Sequence, residues 1–253
     1  MNKVFWQFAK LLLQNAKNIA LAFLLVISVK GSVAANSIHA NTLTVCPSGC
    51  DHTTIQGAID AANPGDTILL ETTEAHTEFG IHVNLDVTIK GYSDSTKSIV
   101  QAAASKGIAS DRVFTILSGV TATIQDLEIR YGVSGLGGGI YNDGGSVTID
   151  NVKVYQNKNS GIFNTGIMTI NNSTIEENET YSNGGGIWNS GTIRINHSAI
   201  SKNSCWVFGG GVFNSGILII DGSFITTNLA KGDASSNGGK GGGVANLGSL
   251  TLI

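Results

Sequence analysis

The stretch Gly184 to Asn203, GGGIWNSGTIRINHSAISKN, stands in a row of near copies. Upstream are GGGIYNDGGSVTIDNVKVYQN (137–157) and GIFNTGIMTINNSTIEEN (161–178); downstream are GGGVFNSGILIIDGSFITTN (209–228) and GGGVANLGSLTLI from Gly241 onward. A supersecondary unit of this length cannot bury its apolar side alone, so tandem copies stack into a solenoid instead of closing a globular core. Within each unit apolar residues fall two apart: Val87/Ile89, Ala122/Ile124, Val147/Ile149, Met168/Ile170, Ile193/Ile195, Leu218/Ile220 and Leu250/Leu252. That is the strand period, which sends both members of a pair to one face. The alternating partners Thr88, Thr123, Thr148, Thr169, Arg194 and Thr251 face outward, with Ile219 the exception. Val154, Ile175, Ile200 and Ile225, each five residues beyond its pair, place another strand around the corner.

The glycines that precede each Ile/Val-x-Asn (139, 161, 186, 211 and 243) are spaced 22, 25, 25 and 32 residues apart. A constant unit with a variable remainder sends the insertions ETYSNGG, SCWVFGG and LAKGDASSNGGKGG out at a single corner, where a solenoid can display function. Two asparagine columns recur, Asn142/Asn164/Asn189/Asn214/Asn246 and Asn157/Asn178/Asn203/Asn228. They read as structural: Asn tolerates the left-handed backbone that corners need, and stacked Asn side chains bond along a ladder.

Ahead of the repeats, Ile55, Ala58, Ile59 and Ala62 share one helical face, with Thr53 or Thr54 as N-cap and Asn63-Pro64-Gly65-Asp66 as the terminating turn. This short helix is expected to cover the open first coil, with residues 41–66 as cap and 67–253 as solenoid. Residues 1–40 carry Lys3, Lys10 and Lys17, an apolar run Ile19–Val29 and small residues up to Ala40, the pattern of a secretory leader. The run is short for a membrane span of about 20 residues. Export leads to a secreted or cell-surface location, with membrane contact only through the leader or an anchor beyond residue 253. In an oxidising compartment Cys46 and Cys50 can close a disulfide if their Cα atoms come within about 7 Å. Cys205 reads as a small side chain at a turn.

The segment TTIQGAIDAANPGDTI (53–68) resembles the start of right-handed parallel β-helix proteins such as pectate lyases and pectin methylesterases. The GGGI-x-N units are similar to those of bacterial surface β-helix proteins, including the polymorphic outer-membrane proteins. These resemblances cover about residues 43–253 and imply an all-β, right-handed parallel β-helix of roughly seven to eight coils with a short N-terminal capping helix. They imply no particular activity, since one scaffold hosts many.

Nor do the residues assemble a reaction. The net charge of −3 gives no footprint for nucleic acid. Asp150 and Asp221 share a repeat position but lie three coils apart, roughly 14 Å at about 4.8 Å per coil. Paired-carboxylate glycoside hydrolysis allows up to about 9.5 Å. The five histidines have no metal-ligand spacing, and Gly135–Ile140, GLGGGI, lacks the Lys-Ser/Thr of a phosphate loop. No catalytic residue, metal or cofactor is expected. One column invites binding: Tyr141, Phe163, Trp188 and Phe213 alternate with inward Ile140, Ile162, Ile187 and Val212. Pointing outward, these rings offer a stacking surface to a polysaccharide or cell-surface glycan; kinked inward, they pack in the core.

The leading expectation is a non-catalytic, exported solenoid of the adhesin, stalk or passenger kind. Two others stay open: a pectate-lyase-like carbohydrate-active enzyme with catalytic coils beyond residue 253, and a carbohydrate-binding module using the aromatic column. The final strand pattern breaks off after Leu250/Leu252, so the chain is expected to be part of a longer protein.

Overall fold

Alternation of apolar and polar residues in short runs, broken by corners every few residues, produces a chain that winds through three parallel sheets in turn. The computed structural model describes residues 40–232 and 239–253, so the expected leader lies outside the described residues except for Ala40. A nine-stranded sheet runs from Thr42–Val45 through Thr67–Leu70, Val87–Lys90, Thr121–Gln125, Ser146–Asp150, Ile167–Asn171, Thr192–Asn196 and Ile217–Asp221 to Ser249–Leu252. A second sheet of seven strands includes Phe114–Ile116, Ile140–Asn142, Ile162–Asn164, Ile187–Asn189 and Val212–Asn214. A third, also of seven, includes Leu127–Arg130, Lys153–Tyr155, Thr174–Glu176 and Ala199–Ser201. The result is a parallel β-solenoid of about eight coils.

Register is kept strictly. Ile149 pairs with Ile170 and Ile124, Ile195 with Ile220, and Val154 with Ile175 and Ile129. Equivalent side chains therefore stack in columns, and most inward positions are fully buried in one continuous cluster. The solenoid begins earlier than residue 67. Thr42–Val45, inside the stretch read as a cap, pairs residue for residue with Thr67–Leu70 and opens the nine-stranded sheet. Between these strands the helix α1 spans Ile55–Ala61, with Thr54 as the N-cap: its hydroxyl accepts from the Gly57 N–H at 3.1 Å. Ile55, Ala58 and Ile59 are buried in the common core. Cys46 and Cys50 form a disulfide just before it, their Cα atoms 5.6 Å apart.

The corners depart from the sequence reading. Left-handed backbone recurs in the glycine column Gly137/Gly184/Gly209/Gly241, at Asn159 and Ser160, and on two further columns, Asp126/Asn151/Asn172/His197/Gly222 and Tyr131/Gln156/Glu177/Lys202/Thr227, the last two with φ between +47° and +65°. The two repeated asparagine columns are not among these residues; in the second column the strained residue is the one just before each Asn. What the asparagines supply is bonding. Asn142 Nδ2 donates to Asn164 Oδ1 at 2.7 Å, Asn164 to Asn189 at 2.8 Å, Asn189 to Asn214 at 2.7 Å and Asn214 to Asn246 at 2.6 Å. The second column repeats this from Asn157 to Asn178, Asn203 and Asn228 at 3.0 to 3.1 Å, and each Oδ1 there also accepts the main-chain N–H of the preceding Asn. A shorter column does the same through hydroxyls: the N–H groups of Val152, Ser173 and Ser198 each donate at 3.0 Å to Ser173, Ser198 and Ser223 Oγ. The recurring glycine before Ile-x-Asn is required by this closeness. A Cβ on Gly186 would sit 2.7 Å from the Gly211 carbonyl oxygen and 2.8 Å from Asn203 Nδ2.

Near the start of the solenoid, Glu78 accepts from the N–H groups of Ile55 and Gln56, at 2.7 and 2.9 Å, and lies 2.7 Å from His76 Nε2. Burial pushes the Glu78 carboxyl up, but His76 and the two helix N–H groups outweigh it and hold it below the ordinary 4.5.

Two outcomes follow from these contacts. Asn178→Ala should cost about 3 kcal/mol in urea unfolding, because the buried Asn157 N–H and Val154 carbonyl lose this partner. Glu78→Gln should cost about 2 kcal/mol at neutral pH, the strength of charge-assisted bonds. Since the folded value lies below 4.5, that contribution is full above it and fades as pH falls through the folded value. The gap between wild type and Glu78→Gln should therefore narrow as pH falls from the ordinary 4.5 through the lower folded value.

Candidate functional site

The aromatic column stands outside the tube yet is not an open platform. Alternation buries Ile140 and Asn142 completely and turns Tyr141 outward, and the same inward positions are buried in the next three coils, at Ile162/Asn164, Ile187/Asn189 and Val212/Asn214. The rings then pack on one another: Tyr141 and Phe163 have centroids 5.3 Å apart, Phe163 and Trp188 5.3 Å, Trp188 and Phe213 5.6 Å. The last two pairs meet edge to face at 85°, the favoured geometry of the ring quadrupole. Glycines complete the enclosure, for a Cβ on Gly137 would lie 2.9 Å from Phe163 Cβ. Arg112 closes one end, its guanidinium 4.7 Å from the Tyr141 centroid. That ring face accounts for Arg112 Nη1, a buried nitrogen with no hydrogen-bond partner. Phe163 and Phe213 keep only 8% and 6% exposure and present no ring face to a sugar. The column is thus a packed rib on the outside of the barrel, neither the free ladder nor the core stack that the sequence allowed.

Phe79, Tyr92 and Phe224 are exposed elsewhere, and at the insertion corner two exposed aromatics meet as a pair. Tyr181 is 75% exposed and Trp206 39%, with centroids 5.9 Å apart and planes inclined by 33°. Each is the third residue after a ladder asparagine, Asn178 and Asn203, and Lys231 holds the same place after Asn228. A short fourth ladder positions them: Lys158 bridges Glu179, Glu179 bridges Ser204, and Ser204–Cys205 pairs with Leu229–Ala230. The three insertions together line a cleft of about 100 Å³ with Glu179, Thr180, Tyr181, Ser204, Trp206 and Lys231. The Glu179 carboxylate faces two ammonium groups, Lys106 Nζ at 3.4 Å and Lys158 Nζ at 3.9 Å. Sequence reading had the right corner and missed these side chains, because insertions of unequal length hide their alignment until they are counted from the asparagine.

Several other reactive groups among the described residues are engaged. Cys205 is fully buried, and burial pushes its thiol up to about 11, which leaves it protonated and unreactive. On the third sheet, Arg130 binds Gln101 Oε1 and the Tyr155 hydroxyl, which donates to Glu128 at 2.9 Å. Burial is the main reason the Tyr155 hydroxyl is pushed up to about 12. Asp150 accepts from Asn172 at 2.9 Å, and Asp221 is held by Arg194 at 2.8 Å, on a face where Asn171 and Asn196 stand between them. Among the described residues no group of three or more His, Cys, Asp or Glu could hold a metal ion.

Fold and corner thus define a parallel β-solenoid with an aromatic, mixed-charge cleft at one edge. Set against known proteins, the chain matches no family model, no curated protein and no solved structure.

The two aromatic groups should separate in a stability test. Phe213→Ala should lower stability by about 3 kcal/mol, as for a ring removed from a packed site. Tyr181→Ala should stay within about 0.5 kcal/mol, as for an exposed side chain. Chemical denaturation of both variants checks the contrast.

Proposed function

We propose that this chain is an exported, non-catalytic β-solenoid, secreted or held at the cell surface, that acts as a stalk or adhesin-type scaffold and presents a binding edge at its insertion corner. The partner class is a polysaccharide or a surface glycan. The observation that supports this best is how the repeated polar side chains are used. The asparagines, the serines and the two aspartates Asp150 and Asp221 are spent on coil-to-coil or corner bonds. Side chains so engaged stiffen a shaft; a general acid or base must instead reach the proton it moves. Two exposed rings, a carboxylate and an ammonium group share a cleft where the insertions emerge, the usual site of function on a rigid scaffold.

Surface location is tested by treating intact native cells with protease and probing for the chain. Digestion on intact cells, or recovery from the medium, is the expected result; complete protection until lysis would overturn export. Incubation with plant and microbial polysaccharides, with and without calcium, should yield no new reducing ends or unsaturated products. Turnover abolished by changing one Asp or Glu would sink the non-catalytic reading.

A further inference from the structure

We infer that the insertion-corner cleft is a subsite for a choline phosphodiester, with Tyr181 and Trp206 as the faces that take its trimethylammonium and Lys231 as the contact for its phosphate. This rests on the reading of that corner as a binding edge and names the group it recognises on a partner.

The lining sets the charge of the ligand. One carboxylate, Glu179, and one ammonium group, Lys231, stand there with Tyr181, Trp206, Thr180 and Ser204. In the lining neither sign of charge is in excess, so a ligand that carries one charge of each sign is the complementary one. The order along the corner fixes its direction. Glu179 and Tyr181 belong to one coil, Trp206 to the next and Lys231 to the one after, since Glu179 bridges Ser204 and Ser204–Cys205 pairs with Leu229–Ala230. The cationic end therefore falls to the rings and the anionic end to Lys231, one rung of about 4.8 Å beyond Trp206. In a choline phosphodiester an ethylene bridge holds the two charges about one such step apart.

The rings decide which cation. They are 5.9 Å apart and exposed at 75% and 39%, while the other aromatic column of the solenoid packs on itself. A primary ammonium needs hydrogen-bond acceptors, and the Glu179 carboxylate is already approached by Lys106 Nζ at 3.4 Å and Lys158 Nζ at 3.9 Å. A quaternary ammonium donates no hydrogen bond and spreads its charge over methyl groups, which exposed aromatic faces attract. The rungs that carry these side chains are bonded before any ligand arrives. Thr180 N–H donates to Ser204 O at 3.0 Å, Lys231 N–H to Cys205 O at 2.8 Å and Gly232 N–H to Trp206 O at 2.9 Å, so little ordering of the main chain opposes binding.

Other occupants fit less well. A peptide added as a strand needs unpaired main-chain groups, and those of this corner are bonded between coils. A neutral sugar stacks on the rings but brings no anion to Lys231. The choline phosphodiester itself either heads a lipid or decorates a soluble carrier; the chemistry is shared, and the arms of the experiment separate the two.

The test is calorimetric titration of the full chain with glycerophosphocholine, glycerophosphoethanolamine, choline and a neutral linear hexasaccharide. Vesicles of phosphatidylcholine form a further arm, and Trp206→Ala, Tyr181→Ala and Lys231→Gln are compared with the wild type, with far-UV spectra to establish folding. Glycerophosphocholine should bind the wild type, about tenfold more weakly in each aromatic variant and about tenfold more tightly than glycerophosphoethanolamine. Lys231→Gln should weaken glycerophosphocholine and leave choline unchanged. Tyr181→Ala carries the test if Trp206→Ala fails to fold. Vesicle binding that glycerophosphocholine displaces supports the inference and identifies the lipid as a source; vesicle binding without binding of the soluble diester overturns it. So do absence of binding by the folded wild type, affinity unchanged in the folded aromatic variants, equal affinity for the ethanolamine diester, and tighter binding of the neutral hexasaccharide. This last outcome leaves the binding edge standing while the choline subsite falls, and protection from protease on intact cells removes export whatever the titrations show, so the two readings fail separately.

Discussion

Everything in this solenoid depends on equivalent residues of successive coils meeting in register, and the buried amide ladders are what enforce it. A β-strand that slips by one residue exchanges its inner and outer faces. Apolar columns alone resist such a slip but tolerate smaller displacements along the strand. An amide that must donate to the amide one coil above, and to a fixed carbonyl beside it, does not. Asn164, with bonds to Asn189 Oδ1, Gly166 O and Thr192 O, is fixed in three directions at once. A buried amide left without partners costs about 1–3 kcal/mol, so each rung makes its neighbour's position obligatory.

That rigidity is also why the insertion corner can hold a defined arrangement of side chains. Tyr181, Trp206 and Lys231 belong to segments of different length, yet each is counted from a ladder asparagine and so lands at the same height on its coil. Insertions change the excursion of the chain after that point and leave the anchored residues where they are.

Much of this was legible before any coordinates. The alternating apolar pairs predict the strands and their stacking, because period two and tandem repetition leave few other ways to bury Ile149, Ile170 and Ile195. The corners were harder. Left-handed backbone sits on Gln156, Glu177, Lys202 and Thr227, residue types that give no hint of it, and their neighbouring asparagines drew the inference instead. Ser173, Ser198 and Ser223 drew no reading from the sequence, since their role exists only when the next coil is present. The aromatic column was visible, but not that Arg112, far outside the repeat motif, would cover its end. Tyr181 and Trp206 were readable in principle, by counting three residues on from the ladder asparagines.

The placement of the three cysteines bears on how the chain reaches its native state where thiols oxidise. Three thiols allow three pairings, and two of them would tie Cys205 to the first coil across most of the solenoid. Closing a loop grows costlier by about 0.6 kcal/mol with each doubling of its length. The Cys46–Cys50 ring, with only Pro47, Ser48 and Gly49 between, closes the shortest loop of the three. Once the coils stack, Cys205 is shut inside the corner with no exposed surface. The odd thiol is thereby withdrawn from exchange with neighbouring molecules.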